Sequence, residues 1–349
     1  MPFLRNCWYV AAWSRDLETA PLARTVLGEK IVLFRKESGH VAALEDLCPH
    51  RLLPLSQGKI CGESIQCGYH GLTFDGGGSC VDAPTQDQVP SGAKVRAYPV
   101  AEKLGLVWVW MGEPEKADAA DIYDLPQYHD PAWGVAHGDA LYVKSNYLLL
   151  CDNLCDPTHV NYVHPTTLGD PDIADTPVSY EQTDWGVSTA RWTPDAPPVG
   201  FFKVFGNFDD NVDRWQIYNM HVPSIAIIDF GSAAAGTGAQ KGEGDGRIQV
   251  YSCHFMTPET ETTCFDYWLH VRNFAPDDRS IGEGISEQFR IAFAEDKVVL
   301  EQIQIEEEAF ARRTDRVKRV GLELDASAGL FRSMVSQRIK AEAAVGKVG

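Results

Sequence analysis

The chain has 349 residues, 44% of them apolar and 23% charged, as in ordinary soluble proteins, and at ~150 residues per domain it has room for two. Its net charge of −18 excludes nucleic acid and an anionic membrane surface as partners, because both reward clustered Lys and Arg, and it favours a positively charged protein partner instead. Nine cysteines at irregular spacing form no disulfide framework; with no signal-peptide pattern at Phe3–Val10 and no apolar run near ~18 residues, a cytoplasmic protein with reduced thiols is expected.

The first hundred residues read as β. Trp8–Trp13, Thr25–Arg35 and Val41–Leu44 are rich in β-branched and aromatic residues, with turns expected at Glu29-Lys30 and Ser38-Gly39. Leu72–Phe74 runs into the turn signal Asp75-Gly76-Gly77-Gly78, and Leu106–Trp110 reads as a buried strand. Composition then shifts to Ala, Asp, Glu and Pro over Gly112–Pro126, which sets the expected domains at 1–115 and 116–349. A helical pattern begins at Ser145 and is interrupted by Pro157 and Pro165. Strands are expected at Trp185–Trp192, Trp215–Met220, Ile225–Phe230 and Phe265–Arg272, with a mobile loop over Gly236–Gly246. From Ile281 an apolar stripe at helical spacing (Ile285, Phe289, Phe293, Leu300, Ile303) gives a long helix, and a shorter one follows. The fold class is α+β.

Cys48-Pro49-His50 and Cys67-Gly68-Tyr69-His70 are two Cys-plus-His pairs inside 23 residues of a turn-rich β segment, a pattern that demands a metal. Structural zinc is the competing reading, but zinc fingers group their cysteines at one end and their histidines at the other. One of each per loop suits a two-iron two-sulfur cluster with thiolates on one iron and imidazoles on the other. Pro49, Gly68 and Gly71 shape tight loops around it.

A second site lies in Asp152-Asn153-Leu154-Cys155-Asp156-Pro157-Thr158-His159 and His164. Five residues apart on a regular helix, the two His would point about 140° away from each other. Pro165 disfavours the helical conformation of the residue before it, so the helix ends near Val163 and His164 can swing back. Asp296 falls in the middle of the apolar stripe, three residues after Phe293 and four before Leu300. A carboxylate buried there unpaired costs several kcal/mol, and either metal ligation or a salt bridge to Arg290 or Arg191 removes that cost. Glu295 falls off the stripe. His159, His164 and Asp296 together make a two-His-one-carboxylate triad that leaves positions open on an iron.

The Cys-x-His and Cys-x-x-His pairs resemble the Rieske motif, and the order of the two sites resembles the oxygenase component of Rieske non-haem iron oxygenases along nearly the whole chain. The likeness is greatest to the vanillate O-demethylase, dicamba monooxygenase and toluenesulfonate methyl-monooxygenase group. It is carried by Asn6–Ala12, Cys67–Phe74, Asp152–His164, His164–Gly169, Asp213–Ile217, Thr257–Thr260 and Arg272–Phe274. The resemblance implies an N-terminal all-β Rieske domain, a helix-grip-like catalytic domain with an antiparallel sheet and long C-terminal helices, one [2Fe–2S] cluster and one mononuclear Fe(II). It also implies O2 as co-substrate, a separate NAD(P)H-dependent reductase or ferredoxin, and a head-to-tail homotrimer. In that assembly Asp156 would bridge a cluster-ligating His of the neighbouring subunit to an iron-ligating His of its own, with Asn153 near the open iron positions. The chain itself has no nicotinamide or flavin site, since its glycine clusters lack the strand–helix context of one.

The implied activity is hydroxylation or O-demethylation of a small aromatic acid, with N-demethylation or attack on another small ring as the alternative. A Rieske electron carrier without mononuclear iron is the reading from a different class. The resemblance also implies substrate contacts at His254 and at Asp229, where a relative carries Asn. An ionised Asp229 would repel a carboxylate or sulfonate. Cys151, Cys155, Cys253 and Cys264 read as core residues.

Overall fold

The computed structural model describes residues 3–84, 86–165, 167–168, 176–244, 246–314 and 318–345. Thr166 and Gly169, within one of the stretches that carry the family likeness, lie outside them. The chain divides into two compact units, one of residues 1–124, 257–261 and 342–349, the other of residues 125–256 and 262–341. The first break falls inside the Gly112–Pro126 segment.

The first unit is built from eleven strands. These are β1 (Trp8–Trp13), β2 (Leu22–Val26), β3 (Glu29–Arg35), β4 (Val41–Glu45), β5 (Lys59–Cys61), β6 (Ser64–Gln66), β7 (Thr73–Asp75), β8 (Cys80–Asp82), β9 (Ala97–Tyr98), β10 (Val100–Lys103) and β11 (Leu106–Trp110). They form sheets ordered β1-β11-β10, β2-β3-β4-β9 and β5-β6-β7-β8. The turn expected at Glu29-Lys30 sits two residues earlier. Leu27 and Gly28 both take positive φ, 52° and 81°, the two-residue geometry that matches strand twist in a hairpin, and Glu29 and Lys30 pair with Val26 and Thr25. Every residue of β11 is buried, as its unbroken apolar run requires. The β5–β8 sheet and β3–β4 close over one core of Val32, Phe34, Leu55, Ile65, Phe74 and neighbours, which also contains Cys48 and Cys67.

The second unit is one seven-stranded antiparallel sheet with helices on it. Its strands are β12 (Gly134–Val143), β13 (Val178–Gln182), β14 (Gly186–Ala196), β15 (Val212–His221), β16 (Ile225–Ala234), β17 (Ile248–Thr260) and β18 (Thr263–Arg272), ordered β12-β18-β17-β16-β15-β14-β13. The helices are α1 (Tyr147–Cys155), the single turn α2 (Val160–Val163), α3 (Gly200–Phe205), α4 (Arg279–Ala311) and α5 (Ala326–Val345). Among the described residues none of them is long and apolar enough to cross a membrane. The Gly236–Gly246 segment joins β16 to β17 through a short 3-10 turn at Ala239–Lys241, with Asp245 outside the described residues.

Helix α4 is the mast of this unit. Asp278 caps it, accepting from the N–H groups of Ser280 and Ile281. Its apolar stripe packs Ile285, Phe289 and Phe293 against Val250 and Trp268 of the sheet. Helix α1 is held to α4 at its start. Asn146 caps α1 through Leu148 N–H at 2.9 Å and gives its own N–H to Gln304 of α4 at 2.8 Å. From the other side Arg332 of α5 grips Asp152 with two guanidinium nitrogens, at 2.8 and 2.6 Å.

Gly58 in the first unit has no room for a side chain. A Cβ on Gly58 would stand 2.0 Å from the carbonyl oxygen of Gln66, a backbone atom fixed by the pairing of Lys59 with Gln66. Gly58→Ala is therefore expected to destabilise the protein by about 1–3 kcal/mol through overpacking, read as a lower denaturant midpoint.

Candidate metal centres and the cavity between strands and helix

Cys48 and Cys67 each open a six-residue loop of the same design. Cys48 N–H donates to Leu53 O at 2.9 Å and Leu52 N–H returns to Cys48 O at 2.9 Å; Cys67 N–H donates to Leu72 O at 2.8 Å and Gly71 N–H returns to Cys67 O at 3.2 Å. The fifth residue of each loop takes positive φ, Leu52 at 61° and Gly71 at 78°. Only the second loop uses glycine for this turn, so the first carries the strain of a left-handed leucine. Both sulfurs are buried. Burial raises the Cys48 thiol, and so does its contact with Cys67. The imidazoles of His50 and His70 lie together, ring centres 4.5 Å apart. A thiol pair and an imidazole pair on twin loops are the donor set of a cluster that puts sulfur on one metal and nitrogen on the other.

In the second unit His159, His164 and Asp296 present ligand atoms that all lie within 4.8 Å of one another. Asp296 Oδ1 stands 3.2 Å from His164 Nε2 and 3.6 Å from His159 Nε2. The helix breaks earlier than Pro165 alone would make it. Pro157 ends α1 at Cys155, His159 precedes the single turn of α2, and His164 follows it at φ −116°, ψ 46°. Two breaks, not one, turn the imidazoles toward a common point.

Each of these side chains is held by a partner. His159 Nδ1–H donates to the carbonyl of Asp156 at 2.5 Å, and His164 Nδ1–H donates to Glu295 at 2.8 Å. In the neutral rings both Nε2 lone pairs then face Asp296, the tautomer a metal requires. Glu295 is steadied by Thr167 Oγ1 at 3.0 Å. Asn153 donates from Nδ2 to Asp296 Oδ1 at 2.8 Å. Burial pushes His159 below the ordinary histidine range. Burial acts the same way on His164, but Asp296 and Glu295 outweigh it and raise that ring, so a cation at this point would take the place of a proton.

The salt bridge weighed against ligation does not form with Arg290, which pairs with Asp139 and Glu287. Asp156 closes the turn after α1, its Oδ1 accepting from Thr158 N–H at 2.7 Å and Thr158 Oγ1 at 2.6 Å. The four cysteines Cys151, Cys155, Cys253 and Cys264 are buried.

All three side chains line a cavity of about 670 Å³ between α4, the α1–α2 segment and the sheet. Phe202, Phe205, Phe230, Phe289 and Phe293 give it an aromatic wall, and Asn153, Arg214, Gln216, Tyr218, Ser252 and His254 supply polar groups. Of the two residues expected to contact substrate, His254 lines this cavity and Asp229 does not. Ile228 and Phe230 line the cavity, and strand alternation turns Asp229 to the opposite face of β16. There it accepts from Trp215 Nε1 and Gln249 Nε2, both at 2.8 Å. Burial raises its carboxyl.

Sequence reasoning passed over Glu295, which misses the apolar stripe because it faces His164. It also passed over Arg214, Gln216 and Tyr218, although their spacing of two in a strand was the available signal.

Two family models match the chain, the Rieske [2Fe-2S] domain over residues 7–99 and the vanillate O-demethylase oxygenase C-terminal domain over residues 143–341. The chain is 39% identical to a putative toluene-4-sulfonate monooxygenase system iron-sulfur subunit of Comamonas testosteroni, covering 97% of this chain and 98% of that one. It is 36% identical to a vanillate O-demethylase oxygenase subunit of a Pseudomonas species, covering 97% and 96%. Among solved structures it is similar to dicamba monooxygenase bound to 3,6-dichlorosalicylic acid, with a TM-score of 0.90, 34% identity, and 98% and 99% of the two chains covered.

Two substitutions separate ligand from support. Asp296→Ala is expected to lower iron from about three atoms per chain to about two while the red-brown cluster spectrum persists. Glu295→Gln is expected to keep the triad but weaken its metal about 10–100-fold, measured by competition with a chelator.

Proposed function

Because the chain belongs to the Rieske non-haem iron oxygenases, as an oxygenase component of the vanillate O-demethylase type, we propose that its substrate is a small aromatic acid carrying a methoxy or methyl group. In this reading Cys48, His50, Cys67 and His70 hold the [2Fe–2S] cluster, and His159, His164 and Asp296 hold the single iron. When bound, these groups supply single electrons and the activation of dioxygen for insertion of one oxygen atom into a C–H bond. Electrons come from a separate NAD(P)H-dependent reductase or ferredoxin.

One observation carries the reading: the triad opens into an aromatic-walled cavity of about 670 Å³, a size and character suited to a small ring. An electron carrier has no use for either feature. Phenylalanines exclude water and stack against a ring, and Arg214 is the one guanidinium among the described lining residues, a match for a carboxylate or sulfonate. Asn153 holds Asp296, while the Asp156 carbonyl and Glu295 fix the two imidazoles. Attack on an O-methyl carbon gives a hemiacetal, which collapses to a phenol and formaldehyde; attack on an aryl methyl gives an alcohol.

The family likeness supports a head-to-tail ring of three subunits in which the Asp156 carboxylate joins the cluster of one subunit to the iron of the next. On its own side the link runs through the Asp156 backbone carbonyl, which accepts from His159 Nδ1–H, leaving the carboxylate to accept from an imidazole N–H of the neighbouring subunit, and a heterologous contact can close into a ring.

The reading is tested by formaldehyde release and oxygen consumption across methoxybenzoates and methylbenzenesulfonates with a surrogate reductase. Substrate-dependent turnover on one of these series is expected, and inertness toward both would refute it. Asp156→Asn is expected to retain both metal centres by iron count and spectrum yet lose nearly all turnover. Full activity in that variant would remove the proposed link.

A further inference from the structure

Arg191, on β14, is only 2% exposed, and its Nε and Nη1 have no hydrogen-bond partner. A guanidinium does not give up its proton in a protein, so a positive charge is held in the interior here. Burying a charge without hydrogen bonds to answer it is costly. Thr189 Oγ1 and Gln216 Oε1 are likewise buried without a partner.

Strand register places these groups. Arg191 stands opposite Gln216, Gln216 opposite Phe230, and Phe230 opposite Val250; the next rung on the same face is Thr189, Tyr218, Ile228 and Ser252. Gln216, Tyr218, Ile228, Phe230 and Ser252 all line the cavity. Arg191 therefore lies on the cavity side of the sheet, one strand beyond Gln216, about 5 Å. Its charge is felt by the Tyr218 phenol. Burial, and then Asp156 and Asp296, hold that phenol above its ordinary range against the pull of Arg191, so the hydroxyl keeps its proton and can donate.

The far wall is built differently. Ser252 Oγ is 2.9 Å from His254 Nε2 and 3.0 Å from His270 Nε2, and His254 Nδ1 is 2.7 Å from Asp266 Oδ2. A carboxyl group stands behind that wall, where a guanidinium stands behind the other. Three strand spacings, about 14 Å, separate β17 from β14.

We propose that the β14–β15 wall is the acid-group subsite of the cavity, where a carboxylate or sulfonate seats over Gln216 and the buried Arg191 guanidinium selects it over a neutral group of the same shape. The inference rests on the aromatic-acid reading and deepens it by assigning the acid to one wall. Arg214, Gln216 and Tyr218 recur at every second residue of β15, so an acid group over Gln216 has a neighbour about 7 Å along the strand on either side. A glutamine amide carries two N–H donors and Tyr218 a third. Arg191 touches no substrate. It acts through its field, which reaches farther in the interior than in water. Gln216 and Tyr218 are thus specificity-determining residues, and Arg191 is a positioning residue behind them.

The test is calorimetric binding of matched pairs to the iron-loaded protein at neutral pH, which needs no turnover. The pairs are 3-methoxybenzoate with 3-methoxybenzamide and 4-methylbenzenesulfonate with 4-methylbenzenesulfonamide. The acid of each pair is expected to bind about tenfold tighter or more, and Arg191→Met to cut that ratio about tenfold, as loss of a unit charge near a buried site implies. Arg191→Gln removes the charge while keeping a polar end, and it carries the same expectation should Arg191→Met fail to fold. Tyr218→Phe, which removes one donor, should cut the ratio about three- to tenfold. Each ratio is taken within one variant, so a general loss of stability cancels. An unchanged ratio in an Arg191 variant overturns the proposal and leaves Arg191 as a counter-charge to Asp156 alone. An unchanged ratio in Tyr218→Phe, or equal affinity for acid and amide in the unaltered protein, also overturns it. Formaldehyde release and oxygen consumption with the same acids report separately on the aromatic-acid reading. Turnover without discrimination sinks the subsite alone; discrimination without turnover sinks the reading and leaves a site for an anionic ligand. Failure of both pairs to bind overturns both.

Discussion

A carboxylate and two imidazole lone pairs converge in the interior of the second unit, and this concentration of unshared electrons governs what surrounds it. Asp296 Oδ1 faces Nε2 of His164 at 3.2 Å and Nε2 of His159 at 3.6 Å, with Asp296 only 6% exposed. Three acceptors this close are stable only around a cation. The neighbouring groups deepen the demand instead of relieving it. Glu295 and the Asp156 carbonyl take the Nδ1 protons, so an inward donor needs a second proton on the ring, and a metal cation would take that proton's place.

That point is held by elements whose own stability comes from elsewhere. Helix α4 is fixed by its aromatic packing on the sheet, α1 by Gln304 on one side and Arg332 on the other. The residues that must bend, His159 and His164, sit where two prolines have already released the backbone from helical geometry. The rigid parts carry Asp296 and Asn153, and the bent parts carry the histidines. The cluster loops divide labour in a similar way, with buried sulfurs in the β core and imidazoles at the loop tips.

The same sheet presents two kinds of surface. On the cavity face Gln216, Tyr218, Ser252 and His254 line the space in front of the triad. On the other face Asp229 is engaged by Trp215 and Gln249. A shift of one residue along β16 separates a cavity-facing position from a structural anchor on the opposite face.

The sequence by itself determined the α+β class, the family, both sets of prospective ligands and the helix on which Asp296 lies. Those features are local: a spacing of Cys and His, a proline after a histidine, an acid within an apolar stripe. Only the tertiary structure decided which partners complete them. Glu295, Ser252, Asp266 and His270 meet their neighbours through the register of β16, β17 and β18 and the seating of α4, across separations of 18 to 131 residues for the contacts of His270 and Glu295. Strand β17 is buried on both faces over most of its length, so it lacks the alternation that would reveal its inner side. Local periodicity says which way a side chain points from its own element; it carries no information about what waits there, because pairing between distant strands is set by the packing of the whole core.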